Sequence, residues 1–69
     1  MSLIETLYRQ NLMLQRNNLI YQTINNHEAQ YGMLNQPSFM NNSISDTLEL
    51  ENVNNSIQLM AINAELQAL

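Results

Sequence analysis

The sequence contains no cysteine, no tryptophan and no lysine, and only one glycine and one proline. Each shortage removes a class of solution. Without cysteine there is neither a disulfide framework nor a thiolate metal site. Two arginines are the only fixed cations against six acids, for a net charge of −4. Such a chain cannot build the basic face that displaces counterions from nucleic acid. It equally lacks the polybasic stripe of a membrane-surface helix. The longest apolar run, LMAI at 59–62, falls far short of the ~20 residues a membrane span needs. The opening MSLIETLYRQ carries Glu5 where a secretory leader would carry positive charge, and no long apolar region follows it. These absences point to protein partners, with no nucleic acid and no membrane span. They leave the compartment open between the cytoplasm and an exported or viral assembly.

What replaces charge is amide. Twelve asparagines and seven glutamines make up more than a quarter of the 69 residues. Amide richness of this order can mark disorder, but apolar residues form 45% of the chain and fall in periodic clusters. A folded state is therefore expected, as one small helical module over residues 1–69. A chain below ~70–80 residues rarely gains more than ~3–5 kcal/mol from its own core and recruits partners when disulfides and metals are absent.

Punctuation is confined to one region. Gly32, Pro37 and MNNSIS at 40–45 separate two long segments free of glycine and proline. The pattern predicts an all-α, two-helix hairpin: helix over about 3–31, loop over about 32–45, helix over about 46–68. Gly32 suits a left-handed cap, and Pro37 disfavours helix at Gln36. Asp46 and Glu49 form a capping-box-like pair, with Ser45 as an alternative cap. One continuous bent helix pair within an assembly, or exchange of helices between chains, satisfies the same pattern.

Neither helix has a single apolar face. In the second, Leu50, Val53, Ile57, Met60 and Ala64 follow the spacing of one packing seam, and Leu59, Ile62, Leu66 and Leu69 follow another. Two seams need two partners, and a hairpin supplies one. The first helix contains a near-duplication, LYRQNLM then LQRNNLI over 7–20. Placing Leu7, Leu14 and Tyr21 on one heptad position puts Ile4, Asn11, Asn18 and Asn25 on the other. Three asparagines in succession are too costly for a simple zipper. Apolar triplets at 12–14 and 19–21 each sweep about 200° of the circumference. The first helix is therefore expected to be touched on several sides.

Chemistry-bearing residues are scarce. His27, in HEAQY, has the first half of a helical zinc motif, but Tyr31 stands where the second histidine belongs. It is expected in the last turn of the first helix, beside the dipole's negative end. Asp46, Glu49 and Glu51 gather into an acidic patch without the bulk to form a pocket around it. No phosphate loop or Ser-His-Asp set can be assembled. No catalytic, metal or cofactor site is expected. Asn41 and Asn54 match the Asn-x-Ser acceptor pattern, as an asparagine-rich chain does by coincidence.

Residues 1–31 are neutral in sum and 32–69 carry the net −4. A hairpin would bring Arg9 and Arg16 within reach of Glu65. Met33, Leu34, Phe39 and Met40 in the loop form either a docking surface or a plug for the open end.

The sequence thus predicts a non-enzymatic structural or assembly protein, an oligomer packed against itself or neighbouring subunits of a filament, virion or secretion-type machine. The expected partner contacts are Leu12, Leu14, Leu19 and Ile20, with Leu50, Val53, Ile57, Leu59, Met60, Ile62 and Leu66. A small adaptor or chaperone holding an apolar helix of another protein is the alternative. A third class, an inhibitor blocking a basic site with the acids at 46–51, is also open.

Overall fold

The computed structural model describes residues 2–34 and 39–69, apart from the Phe39 side chain. The fold is all-helical. Helix α1 spans Leu3–Met33 and helix α2 spans Phe39–Ala68, packed against each other as a hairpin. The molecule is a rod of 53 × 15 × 13 Å with a radius of gyration of 16.0 Å. A compact 69-residue chain would have a radius near 11 Å.

Helix α1 begins at an ordinary cap. Ser2, in extended geometry, accepts the Glu5 backbone N–H on its Oγ at 3.1 Å. Ser2-x-x-Glu5 is itself the capping-box signature, so the box expected at 46–49 had its true counterpart at the start of the chain. Thr6 tightens the turn by donating its hydroxyl to the Ser2 carbonyl at 3.0 Å.

The end of α1 departs from expectation. Gly32 sits inside the last turn, and no glycine among the described residues takes a positive φ. The helix ends instead at Leu34, which stays right-handed and shares its N–H between the Gln30 and Tyr31 carbonyls, both at 3.3 Å. His27 is consequently not in the last turn, which holds no basic residue.

Helix α2 starts at Phe39, seven residues ahead of the expected position. Ser45, Asp46 and Glu49 therefore lie within it and cap nothing. Tertiary contact overrides the weak helix propensity of NNSIS: Gln30 of α1 donates Nε2 to the Ser45 carbonyl at 2.9 Å. Thr47 donates its hydroxyl back to the Ser43 carbonyl at 3.0 Å. The expected 14-residue loop is shortened from both sides, and residues 35–38, including Pro37, lie outside the described residues.

The interhelical seam keeps heptad spacing on both sides. On α1 it runs through Arg9, Leu12, Arg16, Leu19, Thr23, Asn26, Gln30 and Met33; on α2 through Asn41, Ser45, Leu48, Asn52, Asn55, Leu59, Ile62 and Leu66. Steps of three and four residues hold each stripe toward its partner. Only Leu12 (5% exposed) and Ile62 (9%) are buried hydrophobics among the described residues. Both lie toward the open end of the hairpin.

The middle of the seam is polar. Asn26 donates its two amide hydrogens to Glu51 Oε1 at 3.1 Å and Asn52 Oδ1 at 3.0 Å. Asn52 Nδ2 in turn reaches the Thr23 carbonyl at 3.4 Å. Asn55, 3% exposed, donates to the Thr23 hydroxyl at 3.4 Å, and that hydroxyl donates to the Leu19 carbonyl at 2.8 Å. No buried side-chain polar atom among the described residues lacks a partner. A buried amide is tolerable only on that condition.

Candidate functional site

The seam fixes which way every other side chain points. Residues one step after Leu12, Leu19, Asn26 and Met33 project to one flank of the hairpin; those one step before Arg9, Arg16, Thr23 and Gln30 project to the opposite flank. The hydrogen bond from the Tyr8 hydroxyl to Glu65 Oε2, at 2.5 Å, marks one flank. A surface groove of about 420 Å³ lined by His27, Gln30, Tyr31, Leu34, Ser45 and Glu49 marks the other.

The two flanks differ in chemistry. On the Tyr8–Glu65 flank α1 presents Asn11, Gln15, Asn18, Gln22 and Asn25, and α2 presents Thr47, Glu51, Asn54, Gln58 and Glu65. Its exposed large hydrophobics are Ile4, Tyr8, Met40 and Ile44. The groove flank, continued onto the backs of the helices, carries Leu3, Leu7, Met13, Leu14, Ile20, Tyr21, Ile24, Tyr31 and Leu34 from α1. From α2 the groove flank carries Val53 and Met60 among Asn42, Asp46, Glu49, Ser56, Asn63 and Gln67, and Leu50 and Ile57 lie on the back of α2, facing away from the back of α1. Leu14, Tyr21 and Met60 are 63%, 68% and 67% exposed. A second shallow groove of about 310 Å³, lined by Gln10, Met13, Leu14 and Asn17, lies on this face of α1.

The expected contact residues therefore fall into two sets. Leu12, Leu19, Leu59, Ile62 and Leu66 lie on the seam inside the hairpin. Ile20, Val53 and Met60 face outward on the groove flank, and Leu14, Leu50 and Ile57 are exposed on the backs of the two helices. The stripe from Leu50 to Ala64 is exposed; of the two seams read from α2, the hairpin buries or half-buries Leu59, Ile62 and Leu66 of the other. Leu7 and Tyr21 are likewise outside, as are Ile4, Asn11, Asn18 and Asn25.

The acids do not form one patch. Asp46 and Glu49 belong to the groove flank, whereas Glu51 is on the opposite one and engaged by Asn26. Among the described residues no ion pair joins Glu65 to Arg9 or Arg16; its partner is the Tyr8 hydroxyl. That bond and the carboxylate charge hold the Tyr8 phenol above its ordinary value of 10.0, with slight desolvation adding to them. Of the expected docking loop, Met33 is half-buried on the seam, Leu34 and Met40 are exposed, and Phe39's side chain lies outside the described residues.

Among the described residues no three His, Asp or Glu side chains converge to hold a metal ion, and no helix is long and apolar enough to cross a membrane. No protein-family model, curated protein or solved structure matches the chain.

Proposed function

We propose that this chain is a non-enzymatic structural or assembly protein, a helical subunit completed by packing against copies of itself or neighbouring subunits of a larger complex. The observation that carries this reading is the number of large apolar side chains left exposed on both helices, Leu14, Tyr21, Leu50 and Met60 among them. Burying a leucine or isoleucine contributes about 1.5–3 kcal/mol, and among the described residues the hairpin buries two such side chains, Leu12 and Ile62. Ordering each backbone residue costs about 1–2 kcal/mol. The apolar surface able to offset that cost is on the outside.

The accessible area is 5400 Å², against about 4,500 Å² for a compact monomer of this mass, so the rod leaves a larger share of its surface in water than a compact fold would. Filaments, virions and secretion-type machines are the class of assembly in which such subunits serve, by analogy of architecture alone.

An adaptor or chaperone that lays one apolar helix of another protein along the same flank is the second reading. It is favoured by the groove between the helices, lined by Gln30, Tyr31 and Leu34 of α1 and Ser45 and Glu49 of α2, along which a third helix could lie.

Light scattering after size exclusion over a concentration series, with helix content by circular dichroism on the same samples, separates the two. Mass and helicity that rise together support coupled folding and assembly. A helical monomer that persists on dilution removes self-assembly as the source of stability and leaves the adaptor.

A further inference from the structure

We infer that the hairpin has a second register one heptad away, in which α1 slides about 10.5 Å along α2 and the first two turns of α2 melt into the connection. The observed register follows from its bonds: Gln30 reaches Ser45, and Asn52 reaches Thr23. Counted in heptads from those bonds, Leu12 is level with Ile62, Leu19 with Asn55, Asn26 with Leu48 and Met33 with Asn41. Three of those four layers set an apolar side chain against an amide.

Advancing α1 by seven residues pairs like with like: Leu12 with Leu69, Leu19 with Ile62, Asn26 with Asn55 and Met33 with Leu48. The near-duplication in α1 permits the step. Leu14, Arg16, Asn18, Leu19 and Ile20 enter the places that Leu7, Arg9, Asn11, Leu12 and Met13 leave, so the C-terminal half of α2 meets nearly the same surface in either register. Packed helices move between discrete arrangements by whole turns, not by continuous drift.

The start that α2 needs in the second register is written at 46–49. With Met33 level with Leu48, α2 has to begin only at Asp46. There Asp46 as cap and Glu49 three residues on form the box that the observed helix carries unused in its interior. Residues 40–45, MNNSIS, are rich in side chains that compete for the backbone and favour turns. The observed register is held by the Tyr8–Glu65, Gln30–Ser45 and Asn26–Asn52 bonds, which the shift breaks.

The absence of native cysteine makes the register directly readable. Nitroxide labels go on Ala29→Cys and Ala61→Cys, exposed positions of the Tyr8–Glu65 flank that stay helical in both states. Dilution with unlabelled chain leaves only the distance within one molecule. Ala61 is level with Met13 in the observed register and with Ile20 in the other. The labels are therefore about 24 Å apart along the rod in the first and about 13.5 Å in the second. The labelled chain with no further change is expected to show mainly the longer distance. Thr47→Pro suits the first residue of a helix capped at Asp46 but not the interior of one that starts at Phe39. It should move the population toward the shorter distance by roughly 100-fold. Ser43→Gly with Ile44→Gly, a milder change confined to the melting turns, should move it roughly fivefold. The longer distance retained in both variants would overturn the second register, whatever their helix content. A continuous spread of distances would overturn it as well, in favour of fraying. Loss of helix and of any defined distance in both variants would do the same, because residues 39–47 would then be indispensable to any hairpin.

Discussion

The Asn26 side chain donates to the Asn52 side chain at 3.0 Å across the interhelical seam, and both residues are half-buried there. An amide pair on the inner stripe gains little over apolar residues of similar volume, because each amide must first leave water. It does define which turn of α1 stands beside which turn of α2.

A double-mutant cycle tests that division. Asn26→Leu and Asn52→Leu singly should each destabilise by about 1 kcal/mol, since each leaves its partner amide short of a bond. The double variant should recover that loss or exceed wild type, with less uniform oligomer size by light scattering. Urea midpoints at one fixed protein concentration give the energies, because assembly makes them concentration-dependent. Additive losses in the double variant would mean the amides act independently.

Leu12 and Leu14 separate the inside of the hairpin from its outside. Leu12→Ala should cost about 2–5 kcal/mol through the cavity it leaves, enough to abolish the helical signal of a small chain. Leu14→Ala should change the stability of the hairpin itself by no more than about 0.5 kcal/mol and weaken association instead, moving the joint rise of mass and helicity to higher concentration. Similarly, Ile62→Asp is expected to unfold the hairpin at every concentration, whereas Ile57→Asp should move the rise of mass and helicity to higher concentration. Circular dichroism and scattering on the same samples distinguish the two effects. Lysine at Glu49 and Glu51 should leave assembly largely unchanged.

The two-helix plan was legible because glycine and proline are confined to residues 32 and 37 and no strand-like alternation competes. The choice of seam was not. Along α2 the stripe from Leu50 to Ala64 is at least as apolar as the one from Asn52 to Leu66, and hydropathy ranks it first. The folded chain selects the other, whose Asn52 and Asn55 find partners in Thr23 and Asn26. Complementarity between amides far apart in sequence leaves no mark on local periodicity. The start of α2 was missed for a related reason: the Gln30–Ser45 bond extends the helix across residues whose own propensities favour a turn. At the other end, Ser2-x-x-Glu5 was a readable signal that fixes the start of α1.

Tyr8 and Glu65 tie the open end of the hairpin, and the tie is sensitive to alkali. The phenol is held above its ordinary value by its bond to the carboxylate. A group whose folded value is raised contributes its stability in full below the unfolded value, near 10. That contribution is lost as pH rises through the higher folded value. Wild type should therefore lose stability relative to Tyr8→Phe above about pH 10 and differ from it by a constant amount between pH 7 and 9. Absorbance of the tyrosinate band should show one of the three tyrosines titrating late, and Tyr8→Phe should remove that late phase. An unchanged titration curve would exclude the bond in solution.

Gly32 tests the end of α1. A left-handed cap would make any side chain at this position costly, whereas the observed helix gives Gly32 no positive φ and no atom within 4 Å of an added Cβ. Gly32→Ala should then stabilise by about 0.4–1 kcal/mol, mainly by restricting the unfolded chain and favouring helix. Since the position is in the last turn, where helices fray, the lower part of that range is expected. A thermal or urea midpoint that rises identifies a helical glycine. One that falls by a similar amount would place the end of α1 at residue 31 and return Gly32 to a capping role.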